Sequence, residues 1–463
     1  MGAAWDDAKS IWSVKIEDIE RQVVFDDSCD FLLNAGGILN NWKWPEIPGL
    51  HSFEGTLIHS AKWPESANLE GKTVAVIGNG STGIQIVPAI QPEVKQLVHL
   101  IRSPTWITPG AASRYPSLKG GEIPNVFSEE QKEVFRTDPE RYAEFRKQIE
   151  REINSKFRML VNGAEMAERA RQGAYDSMVD LLGERAAELG PQIIPDFAIG
   201  CRRITPGVGY LESFSKPNVR VLVRKDAIIE RVDSKGLVMA NGEHIELDVL
   251  VCATGFDVSF SPRFPITGRK GINLAELWNE PNVPRAYLSL AIPEFPNYFS
   301  KSPFLPFPLD RRADVSLFTV FLGPNAPISH GSVFTITEYV SKYIMQLVTK
   351  AQVERIKTIR VKQQAVDHFT THIEAFMPRT AWAGKCRSWF KRGTVDGPVT
   401  AIHPGSRVHW FHTMERPKFE DFEYEYDNGN RFGYLGNGFS VREEPGCDNT
   451  WYLEEEAPRF LYC

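Results

Sequence analysis

The chain has 463 residues, with 53 Lys and Arg against 59 Asp and Glu for a formal charge of −6, and 42% of its residues are hydrophobic. At about 100–200 residues per domain this is two or three domains, with ample chain for a large core. The mild acidity argues against the basic stripe of a nucleic-acid protein, the 11% aromatic content excludes bulk disorder, and no run of about 18 apolar residues is present to span a membrane.

The first twenty residues contain acids and lack a long apolar stretch, so no signal peptide is expected and the location reads as cytoplasmic. Cys29, Cys201, Cys252, Cys386, Cys447 and Cys463 form no CxxC pair. Such scattered cysteines read as free thiols in a reducing compartment rather than a disulfide framework. In chain order, residues 29–33 read as a buried strand followed by Asn34-Ala35-Gly36-Gly37 and then Trp42, Trp44 and Pro45. A core strand so near the N-terminus has no evident upstream partner, so the segment reads as the later part of a domain.

Residues 73–78 are a near-continuous apolar run ending in glycine, as in a parallel strand buried on both faces. Residues 81–91 have helical spacing, with Ile84, Val87 and Ile90 on one face and Ser81 as a candidate cap. Residues 96–102 read as the next strand, completing a βαβ unit. Residues 127–190 are charged and helical in pattern and read as an inserted subdomain, placed at about 118–195. Residues 216–256 alternate around an Asn241-Gly242 hairpin turn, predicting a small antiparallel piece and then a buried strand from Val249 to Ala253. Residues 333–350 read as an amphipathic helix. The tail after about 415 is acidic, aromatic and weakly periodic, and no solenoid repeat is present.

Gly78-Asn79-Gly80-Ser81-Thr82-Gly83 is a GxGxxG placed between a predicted strand and a predicted helix. Gly78 permits the tight turn, Gly80 lets backbone amides approach a pyrophosphate, and Gly83 lets helix and strand pack closely. The helix N-terminus then faces the anion. Arg102 ends the following strand, where an acid would bind the NAD ribose and an arginine suits the 2′-phosphate of NADP. NADP is therefore chosen over NAD, with Ser103 and Thr105 as hydroxyl donors. Upstream stands Phe53-x-Gly55-x-x-x-His59-x-x-x-Trp63-Pro64. Taken singly, Gly55 reads as a turn residue, His59 as a satisfied core histidine and Trp63-Pro64 as a rigid corner.

Taken together, FxGxxxHxxxWP before a GxGxxG resembles the fingerprint of type I Baeyer–Villiger monooxygenases, and Ala253-Thr254-Gly255-Phe256-Asp257 resembles a second motif of that family. The likeness runs from about Asp30 to His412 and is strongest to fungal enzymes of polyketide and other secondary-metabolite pathways. It takes in Cys201-Arg202-Arg203-Ile204-Thr205-Pro206 and Cys386-Arg387-Ser388-Trp389-Phe390. The resemblance implies an α/β fold of two dinucleotide-binding Rossmann-like domains, the FAD one incomplete here, with a helical insertion. It implies FAD and NADPH as cofactors, O2 and a small-molecule ketone as substrates, and oxygen insertion to an ester or lactone by a peroxide adduct of reduced flavin.

By the same resemblance Arg203 is the catalytic candidate, a fixed cation beside developing negative charge. Arg202 is assigned to NADP phosphate or ribose, Trp389 closes over NADP, His59 and Trp63 position the segment between the nucleotide sites, and Asp257 is a linker residue. The implied domains are residues 1–52 as remnant of an FAD unit, 53–256 as the NADP unit, 257–415 as the return to the FAD unit and 416–463 as an extension.

Two features depart from the family. No second GxGxxG precedes Phe53, and Gly36-Gly37 is no substitute, so the resemblance implies about 100 residues or more of FAD unit upstream. Residual FAD contacts are expected around Gly36 and the 323–333 turn. Residues 300–318 split two apolar pieces that joined would make one strand into a glycine turn, and read as a surface loop or, slightly favoured, as translated non-coding sequence. The competing functions are an N- or S-oxidising flavoprotein, which the Trp-Pro ending disfavours, and a non-catalytic NADP-binding remnant.

Overall fold

A computed structural model describes residues 1–108, 127–299, 322–329 and 331–453. At its centre is a five-stranded, all-parallel sheet in the order Val219–Val223, Gln96–Ile101, Thr73–Ile77, Val249–Cys252, Thr56–His59. Alternate residues of these strands feed two separate cores. Val74 and Val76 join Ile84, Val87 and Tyr210 on one side, while Ala75 joins Leu50, Phe53 and Leu237 on the other. Burial on both faces is why residues 73–77 read as unbroken apolar sequence. The helix Ser81–Ile90 follows the central strand, so the expected strand–turn–helix–strand unit is present.

One strand was misassigned in the sequence. Val219–Val223 belongs to this parallel sheet, beside Gln96–Ile101. The antiparallel piece is instead Ile229–Val232, Gly236–Met239 and His244–Glu246, with Asn241-Gly242 in its turn. Alternation alone does not separate a strand at the border of a parallel sheet from a strand of a hairpin.

The helical stretch comprises Glu129–Thr137, Pro139–Ser155, Glu165–Leu182 and Ala186–Ile193. The expected start near 118 lies outside the described residues. Ser128 opens the first helix with a reciprocal capping box to Gln131. The last two helices pack on the sheet through Ala174, Met178, Leu182 and Leu189.

The N-terminal segment corrects the expectation of a strand without upstream partners. Gly2–Asp6, Ile11–Asp18 and Val23–Cys29 form an antiparallel meander, extended by Ile266–Thr267 alongside the first strand. Its one apolar face, Trp5, Trp12 and Val14, enters a large core with Leu32, Trp278, Tyr343 and Trp410. Trp12 Nε1 donates to Pro296 O at 3.0 Å. The presumed strand 29–33 is broken at residues 30–31. Leu32–Leu33 forms a separate two-stranded parallel pair with Tyr298–Phe299. The acids in residues 6–7 and 17–18 masked the meander, because they mark its exposed turns and outer face.

Val333–Glu354 is a buried-stripe helix, as expected and one turn longer. The tail is less detached than the sequence implied, since Phe422–Tyr426 pairs antiparallel with Ile356–Val361. The splitting segment 300–318 and Cys463 lie outside the described residues. Among the described residues, no helix is long and apolar enough to cross a membrane.

Candidate functional site

The glycine turn sits at the carboxyl end of the central strand. Gly78 has φ +106°, and a Cβ there would lie 2.5 Å from Ala253 O. A Cβ on Gly83 would collide with the carbonyl of Gly78, so helix and strand touch backbone to backbone. A Cβ on Gly80 would meet nothing within 4 Å. Gly78 and Gly83 are thus glycines for internal reasons, whereas Gly80 faces open space, as a residue kept clear for a ligand does. The cap assignment is corrected: Gly80 is the N-cap, without a side-chain bond. Ser81 is the first helical residue, and its hydroxyl pairs with that of Thr205 at 2.8 Å. Thr82 is half-buried in the same first turn.

The loop after Gln96–Ile101 borders this turn. Asn79 Nδ2 donates to Ser103 O at 2.9 Å. Ile107–Thr108 pairs in parallel with Thr205–Pro206, which draws residues 201–205 alongside. Arg202 Nη1 then donates to Pro104 O at 3.0 Å and Thr105 Oγ1 at 3.2 Å, and Nη2 to Ser103 Oγ at 3.3 Å. Its guanidinium also lies 5.4 Å from the Phe197 ring centroid. Burial depresses the Arg202 pKa, and the nearby Arg102 and Arg387 depress it further. Lys391, 1% exposed, is lowered by burial and feels Arg202 as a like charge. Arg202 therefore has Arg102, Arg387 and Lys391 as like-charged neighbours, an arrangement suited to an anion at Arg202.

Arg203 points elsewhere: its Nη1 donates to Ile328 O at 2.9 Å. The side chain is solvent-exposed by area, yet the surrounding protein desolvates its guanidinium enough to lower the pKa. Size alone does not mark the site, because a concavity of about 730 Å³ on the meander, lined by Ala4, Lys15, Asp26 and Thr267, holds none of the candidate residues.

The Phe53–Trp63 motif forms a second cluster one strand away. Phe53 is buried. Gly55 is not a left-handed turn residue; its Cβ would strike the Phe53 ring at 2.5 Å and Asp248 O at 2.6 Å. His59 is buried, and its Nδ1 accepts from Ala61 N at 3.2 Å, which leaves Nε2–H facing Thr254 Oγ1 at 3.4 Å. Burial lowers its pKa. Trp42 stacks on the His59 ring at 4.1 Å and Trp44 meets it edge-on at 5.5 Å. Asp257 N donates to Asn41 O at 2.8 Å, and its Oδ1 accepts from Ser259 N. Trp63 lies 36% exposed on the rim.

Trp389 opens a short turn capped by Ser388, with its ring half-buried and 4.8 Å from Phe390. A disulfide between Cys201 and Cys386 ties this segment to the Arg202 loop. This corrects the expectation of free thiols for that pair; Cys29, Cys252 and Cys447 are free. The pairing spans 185 residues, so no spacing signal announced it.

The structure thus gathers Gly78, Gly80, Ser81, Thr82, Gly83, Arg102, Ser103 and Arg202 around one turn. Arg203 is anchored to Ile328, His59 ends the strand Thr56–His59 beside Thr254, and Asp257 bonds Asn41. Asn79, Thr205, Arg387, Lys391, Trp42 and Ile328 were not singled out from the sequence. Asn79, Thr205, Arg387 and Trp42 stand in segments that the sequence marks without giving them a role, whereas no motif includes Lys391 or Ile328.

Comparison with known proteins places the geometry in context. The profile of the family described as flavin-binding monooxygenase-like matches residues 8–165. The chain is 36% identical over 459 residues to the FAD-binding monooxygenase tazF of Aspergillus terreus, covering 97% of this chain and 76% of that protein. It is also 36% identical to the FAD-binding monooxygenase moxY of Dothistroma septosporum, over 96% of this chain and 67% of that one. Among solved structures, cyclohexanone monooxygenase from Rhodococcus sp. Phi1 bound to NADP+ superposes with a TM-score of 0.71 at 24% identity, over 92% of this chain and 79% of that chain.

Proposed function

The chain belongs to the flavin-binding monooxygenase-like family, and from that premise we propose that it is an FAD- and NADPH-dependent enzyme inserting one oxygen atom beside a ketone carbonyl to give an ester or lactone. The observation that carries the reading is the placement of Arg202-Arg203, one guanidinium on the 103–105 loop to which Asn79 of the glycine turn also bonds, and the next on the Ile328 carbonyl.

The residues fit NADP. Gly80 leaves room at the N-terminus of a ten-residue helix, where backbone amides favour an anion. Arg202, with Arg102 and Arg387 as like-charged neighbours, presents positive charge that a 2′-phosphate would neutralise. For FAD the fit is incomplete: the 463 residues contain one GxGxxG, and Arg202 bonds Ser103, to which Asn79 of that same motif also bonds. Gly36-Gly37 follows the two-residue strand Leu32–Leu33 with no third glycine in register. No flavin-binding residue is therefore assigned, and the FAD requirement rests on the family.

When bound, the flavin and nicotinamide supply the redox chemistry. The chain supplies orientation and charge. Arg202 fixes the 103–105 loop and presents positive charge to the nucleotide. Arg203, held by Ile328 O, is a preorganised cation for negative charge that develops as oxygen is transferred to the carbonyl carbon. His59, beside Thr254, and Asp257, bonded to Asn41, position the segments they join. A ketone of polyketide or terpenoid type is the proposed substrate class, on the likeness to fungal relatives.

The test is a panel of cyclic, linear and aromatic ketones offered to the FAD-supplemented protein with NADPH and O2, products being read by mass spectrometry. An ester or lactone from at least one ketone is expected. Arg203→Ala should still reduce flavin with NADPH and yield no ester. Flavin reduction by the parent protein with no ester from any ketone overturns the proposal.

A further inference from the structure

Three consecutive residues hold three separate parts of the molecule. Cys201 is bonded to Cys386, with Cα atoms 6.3 Å apart. Arg202 holds Ser103, Pro104 and Thr105. Arg203 holds Ile328. The disulfide is the covalent member of this set, and it acts on residues whose positions matter for the reading above.

The Cys386 side is itself a compact loop. Cys386 N donates to Gly384 O at 2.9 Å, and Ser388 caps Phe390. Lys391 Nζ donates to the carbonyls of Gly384 and Val395. These bonds are internal to the segment. They shape residues 384–395, whose Gly384 packs against Cys201 with its carbonyl oxygen 3.3 Å from Sγ, and the Cys201–Cys386 bond is the covalent tie between the two segments.

The chemical setting differs from that of the other buried thiols. Arg202, Arg203 and Arg387 adjoin the two cysteines in sequence, and Lys391 reaches the same loop. Cations favour the thiolate that performs exchange. Burial pushes the Cys29 and Cys252 thiols up to about 12, with the Asp30 and Asp27 carboxylates adding to the effect at Cys29. Those two are inert core residues by the same rule. Cys201 is 0% exposed and Cys386 4%, so a reagent gains access by local opening of the 384–395 loop.

We propose that Cys201 and Cys386 are a reversible dithiol–disulfide modification site, oxidised by a small-molecule disulfide and reduced by a dithiol, whose closure locks the Arg202-Arg203 loop to the Trp389 segment. One cysteine thiolate attacks the external disulfide, breaking its S–S bond, forming a mixed disulfide and releasing one small thiol. The second cysteine then displaces the second small thiol. The protein pair gives up two electrons and two protons, and the external disulfide takes both. The consequence for cofactor binding rests on the NADP reading; the crosslink does not.

The full chain is treated with glutathione disulfide or with dithiothreitol. Three quantities are read: maleimide trapping with non-reducing peptide mapping, amide hydrogen exchange, and NADP+ affinity. After glutathione disulfide, a crosslinked peptide pair containing Cys201 and Cys386 is expected. Exchange at 200–206 and 384–394 should slow about tenfold relative to the reduced protein, and NADP+ should bind more tightly. Cys386→Ser and Cys201→Ala should each abolish the difference between treatments, whereas Cys29→Ser should retain it. Maleimide labelling of both cysteines after glutathione disulfide overturns the proposal, as does equal exchange in the two states. A crosslink with the exchange response but no NADP+ binding in either state upholds the modification site and overturns the NADP reading.

Discussion

Arg202 Nη1 lies 3.2 Å from Thr105 Oγ1, on the loop that follows the second strand of the nucleotide-binding sheet. The same guanidinium is crowded by Arg102 and Arg387, so an anion at this point relieves repulsion as well as making bonds. Arg202→Gln keeps a donor for Thr105 but removes the charge. Its NADP+ affinity should fall by roughly 10- to 100-fold, the worth of one or two bonds to a charged group. Isothermal titration measures it, and an unchanged affinity would place the 2′-phosphate elsewhere.

Gly80 and Gly83 should part company under substitution by alanine. At Gly80 the new methyl group meets no protein atom within 4 Å, so stability should fall by no more than about 1 kcal/mol, the cost of alanine at an N-cap, while NADP+ binding weakens. At Gly83 the methyl group would enter the space of the Gly78 carbonyl. The helix must then move off the strand, and a loss of about 2 kcal/mol or more is expected. Thermal melts and titrations of both variants separate a ligand-facing glycine from a packing glycine.

That contrast also explains what the sequence disclosed. The parallel sheet was legible because both of its faces are buried, so residues 73–77 and 249–252 read as apolar runs. The glycine turn was legible because each glycine answers a separate steric demand. The meander of residues 2–29 was not, since only Ala3, Trp5, Trp12 and Val14 are buried in its first two strands and small, polar and charged residues interrupt them. Within the site, Arg102 and Arg202 were legible as residue types at a spacing. Lys391, Trp42 and the Cys201–Cys386 bond were not, because chain-distant pairing sets their roles and no local period records it.

His99 makes acid stability testable. It is fully buried in the sheet, with Nδ1 3.2 Å from Val76 O and Nε2 2.8 Å from the Tyr210 hydroxyl. A neutral ring satisfies both, Nδ1–H donating to the carbonyl and Nε2 accepting from tyrosine. Burial lowers its pKa from 6.5 to about 4. Above pH 6.5 the ring is neutral in both folded and unfolded chains and contributes no pH dependence. Between pH 6.5 and about 4 the unfolded chain takes up the proton and the folded chain does not, so stability falls as pH falls, by about 3 kcal/mol at most. His403, lowered to about 3, acts in the same direction. Urea midpoints should therefore drop on going from neutral pH to about pH 5, and His99→Gln should flatten that profile.

The buried cation Arg407 ties the helical insertion to the rest of the molecule. Its side chain is 0% exposed and its Nη1 lies 2.7 Å from Oε2 of Glu150, whose side chain is 35% exposed. Nη2 donates to Thr335 Oγ1, and the guanidinium lies 5.0 Å from the Phe411 ring centroid. The asymmetry in burial sets the expected outcome. Glu150→Ala leaves a buried charge short of its carboxylate and should cost about 1–3 kcal/mol. Arg407→Met removes the charge while filling much of the volume, and the freed Glu150 carboxylate can hydrate. Adding Glu150→Ala to Arg407→Met should then cost almost nothing further, giving a coupling of about 1–3 kcal/mol in a double-mutant cycle. Additive losses would mean that the helix Pro139–Ser155 is held to this face by packing and that the ion pair contributes little.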